Sequence, residues 1–220
     1  MTLEHFDPLS DAFFEQKKSE LKERVSAHRY EHSLGVVDAC VMLAGVYGID
    51  ERKARLAGIL HDWDKCYDDD GIRCRAHELG LKVAAEVLDM APQALHGMTA
   101  ALALTREYPE IPEDVIQAIS RHTVACVDMQ PLDMALYVAD AIEVNRDPER
   151  LGKQVEELRE MVGKETLEKL FFETYRFWTI LLLNRTSSLH PDTITVWNEY
   201  ANRFKPCGKK SFKEMRKELT

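Results

Sequence analysis

The segment LAGILHDWDK, residues 56–65, carries an apolar helical stretch into an adjacent His61–Asp62, with Lys65 three residues beyond. An imidazole and a carboxylate side by side are donors for a divalent transition metal. A lysine close behind them can offset charge on a phosphoryl group. The alternative is a helix that happens to finish in polar residues, with Lys65 solvated in a loop.

Eight histidines occur, at positions 5, 28, 32, 61, 96, 122, 77 and 190. Four of them belong to otherwise apolar helical stretches. RYEHSLGVVDA puts Arg29 and His32 three apart, on one helix face. QALHGMTAALAL carries His96, IQAISRHT ends at His122–Thr123, and LDMALYVADAIEVNR surrounds Asp140 with apolar residues. Taken singly, such a histidine is more often a packed core residue, and such an aspartate more often a cap. Taken together, His32, His61, His96, His122, Asp62 and Asp140 would each need a separate partner, and a shared metal supplies one to all. An ionised aspartate in a segment as apolar as MALYVADAI is costly unless paired or metal-bound. Its helical neighbours Tyr137 and Glu143 are not cations, so a metal held jointly with imidazoles from other helices is expected. Glu143 itself reads as a helix-surface carboxylate outside the site. Mixed imidazole and carboxylate donors suit iron, manganese, cobalt or nickel better than magnesium or calcium, and the lack of nearby thiolates counts against structural zinc.

The elements that must position these residues are helical. Glycine and proline fall mostly at segment ends, and the periodicity between them is that of helices. Ser10–Asp11 predicts a helix to about residue 25, followed by 30–47 and by a third, capped by Asp50, that runs into the quoted motif. DWDKCYDDDG reads as a connection closed by Gly71. Further helices are predicted at 73–79, 82–90, 93–107, 113–122, 131–143, 151–162, 165–186 and 191–203. No alternating strand pattern or repeat is present. The expected fold is one all-α domain, residues 1–204, with residues 205–220 as a basic, solvated tail.

Bulk properties exclude some function classes. A formal charge of −9 argues against broad binding to nucleic acid or to an anionic membrane. The most apolar run, Trp178 to Leu183, is far too short to span a bilayer. The opening MTLEHFDPLSD lacks the basic flank and apolar stretch of a signal peptide, so a cytoplasmic location is expected. Cys40, Cys66, Cys74, Cys126 and Cys207 show no C-x-x-C spacing and read as reduced thiols.

In order along the chain, RYEHSLGVV, AGILHDWDK, ALHGMTAALAL, AISRHT and YVADAIEVNR resemble the motifs of HD-domain phosphohydrolases. The RYEHS, HDxxK and ADxIExxR set is most similar to the YqeK-like branch, bacterial symmetrical diadenosine tetraphosphate hydrolases. The likeness continues through LLLNRTSSLHPDTITVWN and covers nearly the whole chain except the tail. It implies a single HD-domain helical bundle with a metal site between the central helices. His32, His61, Asp62 and Asp140 match its core metal ligands, and His96 and His122 match positions that hold a second metal or the substrate phosphate. Asp62 would also orient the attacking water as general base. Lys65 and Arg146 match phosphate-binding positions, while Arg29, on the face of His32, can fork onto a phosphate and Thr123 can donate its hydroxyl to one. On the residues alone, Arg29 serves equally well as an ion-pair partner of Glu23 or Glu31, Thr123 as a helix cap, and Arg146 as a surface arginine. Iron, as one or two ions, is the metal the resemblance implies; the residues leave manganese open. The implied reaction is hydrolysis of diadenosine tetraphosphate at its central anhydride to two ADP. Other HD activities on a nucleoside monophosphate, a deoxynucleoside triphosphate or a cyclic dinucleotide share the same metal set, and a non-catalytic nucleotide-binding module is the reading from another class. Val144 stands where many relatives have proline, a change expected to alter a local turn. The oligomeric state is left open.

Overall fold

Local capping chemistry sets where the helices begin. A computed structural model describes residues 6–146 and 153–205. Helix α1, Asp11–Arg24, starts at Ser10, whose hydroxyl accepts from the Phe13 amide. Helix α2, Ala27–Tyr47, starts at Ser26, which accepts from the Arg29 amide in the same way. That cap opens α2 three residues ahead of the predicted Tyr30, so Arg29 lies in its first turn. The helix stops where Gly48 adopts a left-handed φ of 71°, a conformation open to glycine without strain. Helix α3, Glu51–Leu60, is capped by Asp50, whose carboxylate takes the amides of Arg52 and Lys53.

The predicted connection DWDKCYDDDG is in part a helix. Asp68 caps α4, Asp69–Leu79, by accepting from the Gly71 amide, and Asp69 and Asp70 sit at the favourable end of its dipole. Gly71 therefore belongs to a first turn rather than closing a loop. The predicted helix 82–90 shrinks to α5, Ala85–Met90, which has no side-chain cap. The predicted helix 93–107 divides into a 3-10 turn, Pro92–Leu95, and α6, His96–Glu107, so His96 opens a helix instead of lying inside one. Helix α7 is Glu113–Arg121, and α8, Pro131–Ile142, begins in a Gln130–Asp133 capping box. Helices α9, Gln154–Met161, α10, Leu167–Asn184, and α11, Pro191–Arg203, follow. The beginning of the predicted helix 151–162, and the predicted tail after Lys205, lie outside the described residues.

No strand occurs among the described residues, so the fold is all-α as expected. Helix α2 packs on α3 and α8, α7 bridges α6 and α8, and α10 backs α8. Their shared interior includes Leu43, Leu56, Ile59, Leu60, Leu136 and Val138, all fully buried. Each such side chain contributes about 1.5–3 kcal/mol. This apolar mass fixes the helix ends from which the polar side chains project. No described helix is long and apolar enough to cross a membrane.

Candidate metal centre

Five segments bring the predicted donors to one place. His32 comes from α2, His61 and Asp62 follow the end of α3, His96 opens α6, His122 follows α7, and Asp140 lies in the last turn of α8. All four imidazoles and Asp62 are buried, while Asp140 is 24% exposed at its side chain and faces a cavity. Close packing makes the convergence possible. A Cβ built on Gly97 would lie 2.6 Å from the Ile119 carbonyl oxygen and 2.8 Å from the His122 ring, so only glycine lets α6 and α7 approach this closely.

The ring nitrogens show how each imidazole is committed. Nδ1 of His61, His96 and His122 donates to the carbonyl oxygen three residues earlier, at 2.7 Å to Gly58, 2.6 Å to Gln93 and 2.7 Å to Ile119. Nδ1 of His32 donates to Glu143 Oε1 at 3.0 Å. A carbonyl or carboxylate oxygen only accepts, so each Nδ1 holds a proton and each Nε2 is the atom left to present a lone pair to a metal. These lone pairs converge. His96 Nε2 and His122 Nε2 are 3.0 Å apart, and His32 Nε2 is 3.0 Å from Asp140 Oδ1. Nε2 of His32 and of His61 are buried with no hydrogen-bond partner.

Acceptors facing acceptors need a cation between them. That requirement, together with donors of the imidazole and carboxylate type, is what a divalent transition metal fits. Two overlapping donor sets have this spacing: His32, His61 and Asp140, and His61, Asp62 and His122. Asp62 faces both halves of the cluster. Its Oδ2 lies 3.4 Å from His61 Nε2 and 3.8 Å from His32 Nε2, whereas Oδ1 lies 3.0 Å from His96 Nε2 and 4.0 Å from His122 Nε2.

Protonation follows from the same contacts. Burial lowers the His32 pKa, but the Asp140 and Glu143 carboxylates prevail and raise it to about 9, so with no metal bound a proton competes for the same Nε2. Burial and the neighbouring His96 and His61 push His122 down to about 3, which keeps its ring neutral. Burial would raise Asp62, yet His61 and His96 hold it well below the usual carboxylate range. Asp140 is held down likewise, against burial, chiefly by Arg146.

The cationic residues line the same cavity, of about 340 Å³. Arg29 Nη1 donates to Asp62 Oδ2 at 2.8 Å, not to Glu23 or Glu31. Lys65 Nζ is 3.5 Å from the His96 ring, and burial lowers its pKa. Thr123 Oγ1 donates to His122 Nε2 at 3.2 Å. A larger groove of about 570 Å³ runs between α9 and α10 and is lined by no histidine or cysteine, so donor chemistry, not volume, picks out the site.

Two expectations are corrected. Asp140 does have a protein cation: Arg146, six residues on and beyond the helix end, places Nη2 at 2.6 Å from Oδ1 and Nε at 2.9 Å from the Asp140 carbonyl oxygen. The i±3 and i±4 positions could not show it, because the chain turns back after Ile142. Glu143 is no surface carboxylate; it is 2% exposed and orients His32. Its three-residue spacing from Asp140, one helical turn in the sequence pattern, was the available signal, although Glu143 itself caps the end of α8. Val144 is 76% exposed in the turn that follows, apart from the donors.

Comparison with known proteins gives a consistent answer. The HD domain family model matches residues 29–145. A symmetrical bis(5'-nucleosyl)-tetraphosphatase from Staphylococcus aureus is 32% identical over 84% of this chain and 93% of its own. The protein of that name from Halalkalibacterium halodurans is 31% identical over 81% of this chain and 92% of its own. A solved structure from Clostridium acetobutylicum, described as an HD superfamily hydrolase involved in NAD metabolism, superposes with a TM-score of 0.77 at 31% identity, over 86% of this chain and 97% of that one.

Proposed function

We propose, for a chain that belongs to the HD-domain family and to its branch of symmetrical bis(5'-nucleosyl)-tetraphosphatases, that this cavity hydrolyses diadenosine tetraphosphate at the central anhydride to two ADP. The observation that carries the reading is the pair of buried, partnerless Nε2 atoms of His32 and His61 beside two carboxylates and three cationic side chains. His32, His61, Asp62 and Asp140 would hold the metal, with His96 and His122 holding a second ion or the substrate phosphate. Iron is the metal expected, with manganese as substitute. When bound, such a metal supplies Lewis-acid chemistry, polarising a phosphoryl oxygen and acidifying water.

The chain's own residues do the rest. Arg29, Lys65 and Arg146 bind the phosphate oxygens and offset the charge that builds on them as the anhydride breaks. Thr123 adds a hydroxyl at the same wall. Asp62, fixed by Arg29, holds a carboxylate oxygen where it orients the attacking water and accepts its proton. Water oxygen bonds to one central phosphorus, the bridging P–O bond breaks, and the second ADP leaves with its charge held by the cations.

The test is anaerobic purification with iron supplied, then chromatography of the products from diadenosine tetraphosphate, alongside Asp62→Ala. Wild type should yield ADP alone, and the variant should lose at least about three orders of magnitude in turnover. AMP with ATP as products would sink the symmetric assignment.

A further inference from the structure

The cavity lining has two chemical parts. One is Asp62, His96, His122 and Asp140; the other is Tyr137, Tyr175, Trp178, Thr179, Leu182 and Thr193. The second part comes from α10 and α11 with Tyr137 of α8, and it brings no charged side chain into the lining. Its hydroxyls are largely committed to the main chain, since Tyr175 donates to the Thr193 carbonyl oxygen at 3.1 Å and Thr179 to that of Tyr175 at 2.8 Å. Tyr175 and Thr179 are buried, whereas Trp178 is half-buried and Leu182 is 36% exposed. The indole is therefore the aromatic surface a ligand can reach there. Arg146 touches both parts. Its guanidinium carbon is 5.5 Å from the Trp178 ring centroid, within cation–π range, while its Nη2 grips Asp140.

From this arrangement we propose that Trp178, with Leu182 beside it, is the nucleobase platform of the site, taking a purine by its face rather than by its hydrogen-bonding edge. The inference rests on the nucleotide reading of the site given above. A ligand whose phosphates meet Arg146 and the donors has the Trp178 indole within reach of its base, since that ring stands 5.5 Å from the Arg146 guanidinium. Stacking of this kind is tolerant of base identity, because every base has a π-face. A volume of about 340 Å³ is near the lower bound of small-molecule clefts, which suits one nucleoside diphosphate unit rather than a whole dinucleotide. The second nucleoside would lie outside the platform and go unread.

The test compares binding of ADP, GDP and inorganic pyrophosphate by calorimetry to metal-loaded wild type, Trp178→Phe and Trp178→Ala. Trp178→Ala should weaken ADP about tenfold or more and leave pyrophosphate unchanged, while Trp178→Phe keeps an aromatic face and most of the affinity. GDP should bind wild type within about tenfold of ADP; a site that read the base edge would discriminate by orders of magnitude, and that result would overturn recognition by the face. Unchanged ADP binding in Trp178→Ala puts the base elsewhere. Equal weakening of ADP and pyrophosphate reduces Trp178 to a prop for Arg146. The two readings fail separately. Cleavage of diadenosine tetraphosphate with ADP affinity indifferent to Trp178 removes the platform alone. Trp178-dependent ADP affinity without that cleavage removes the hydrolase reading and keeps the platform. A wild type that binds no ADP removes both.

Discussion

The five residues from His61 to Lys65 serve two clusters of buried charge that end very differently. Toward the cavity, His61, Asp62 and Lys65 join imidazoles whose Nε2 lone pairs meet other acceptors. Toward α1 and α4, Trp63 and Asp64 enter a cluster that the protein closes by itself. Asp64 is fully buried, yet Arg75 reaches it with Nε at 3.1 Å and Nη2 at 3.4 Å, and Arg24 Nη2 lies 3.6 Å away. Arg24 also donates to the Trp63 carbonyl oxygen and stacks its guanidinium 4.5 Å from that indole. Buried charge is common to both sides. The unsatisfied acceptor occurs on one side only, and that asymmetry marks a place for a ligand.

Alanine at 62 and at 64 should split the two clusters cleanly. Asp64→Ala strands Arg75 and Arg24 against the core. Breaking a buried pair costs about 3–5 kcal/mol, and since both arginines keep some solvent contact, about 3 kcal/mol is expected. Urea unfolding of the metal-free protein measures it. Asp62→Ala should cost less stability in that assay while abolishing turnover. If Asp62→Ala proves the more destabilising of the two, the cavity cluster is structural and the contrast fails.

Glu143 sharpens the comparison at the next scale down. It is closed on every side: Oε1 accepts from His32, and Oε2 accepts from the Asn145 amide at 2.6 Å. A Cβ on Gly35 would stand 2.3 Å from Oε2, so the glycine in α2 is what leaves it room. It is a satisfied group holding an unsatisfied one. Glu143→Gln keeps the shape but removes the charge behind His32, and should weaken metal affinity about tenfold, at the low end of such effects. Manganese titration of metal-stripped protein reads this directly, and Gly35→Ala should move it the same way. A lower unfolding midpoint with unchanged metal affinity would make Glu143 a packing residue.

The asymmetry explains what the amino-acid sequence discloses. Caps are local, so Ser10, Asp50, Gly48, Pro131 and Pro191 mark helix ends directly, and the periodicity between them yields the bundle. The donors are legible for a related reason: His32, His61, His96, His122 and Asp140 interrupt apolar faces whose direction inward is already known. Their partners are a different matter. Arg146 returns to Asp140 after the chain has left α8, and Arg29 meets Asp62 across thirty-three positions. Periodicity gives the face a residue shares, not where a turn brings the chain back. Trp178 is hidden for the same reason, since only the packing of α10 against α8 carries it to the cavity. DDDG misled because three adjacent carboxylates suit a helix's first turn as well as a loop.

Lys17 tests how far self-closure goes. Its side chain is fully inaccessible, with Nζ 2.5 Å from the Tyr108 hydroxyl oxygen, 2.6 Å from Glu20 Oε2 and 3.9 Å from the Tyr108 ring centroid. The rings of Phe13 and Trp63 stand 5.2 and 5.5 Å away, which places this ammonium in the closed cluster behind the metal-side turn. Lys17→Met retains the length of the side chain and deletes the charge. Nothing is stranded by the deletion: Glu20 is 37% exposed and passes to water, and the Tyr108 hydroxyl still donates to Glu107 at 2.7 Å. Replacing a buried charge by an apolar group of similar volume is often close to neutral, so a change within about 1 kcal/mol is expected. This is the smallest of the effects and the most discriminating. At Asp64 the partners left behind are themselves held against the core, whereas at Lys17 they have somewhere to go. A loss of about 3 kcal/mol in Lys17→Met, measured by urea unfolding, would mean that the ammonium itself ties α1 to Trp63. The two clusters would then differ in how tightly their charges are held, and no longer in whether the protein satisfies them.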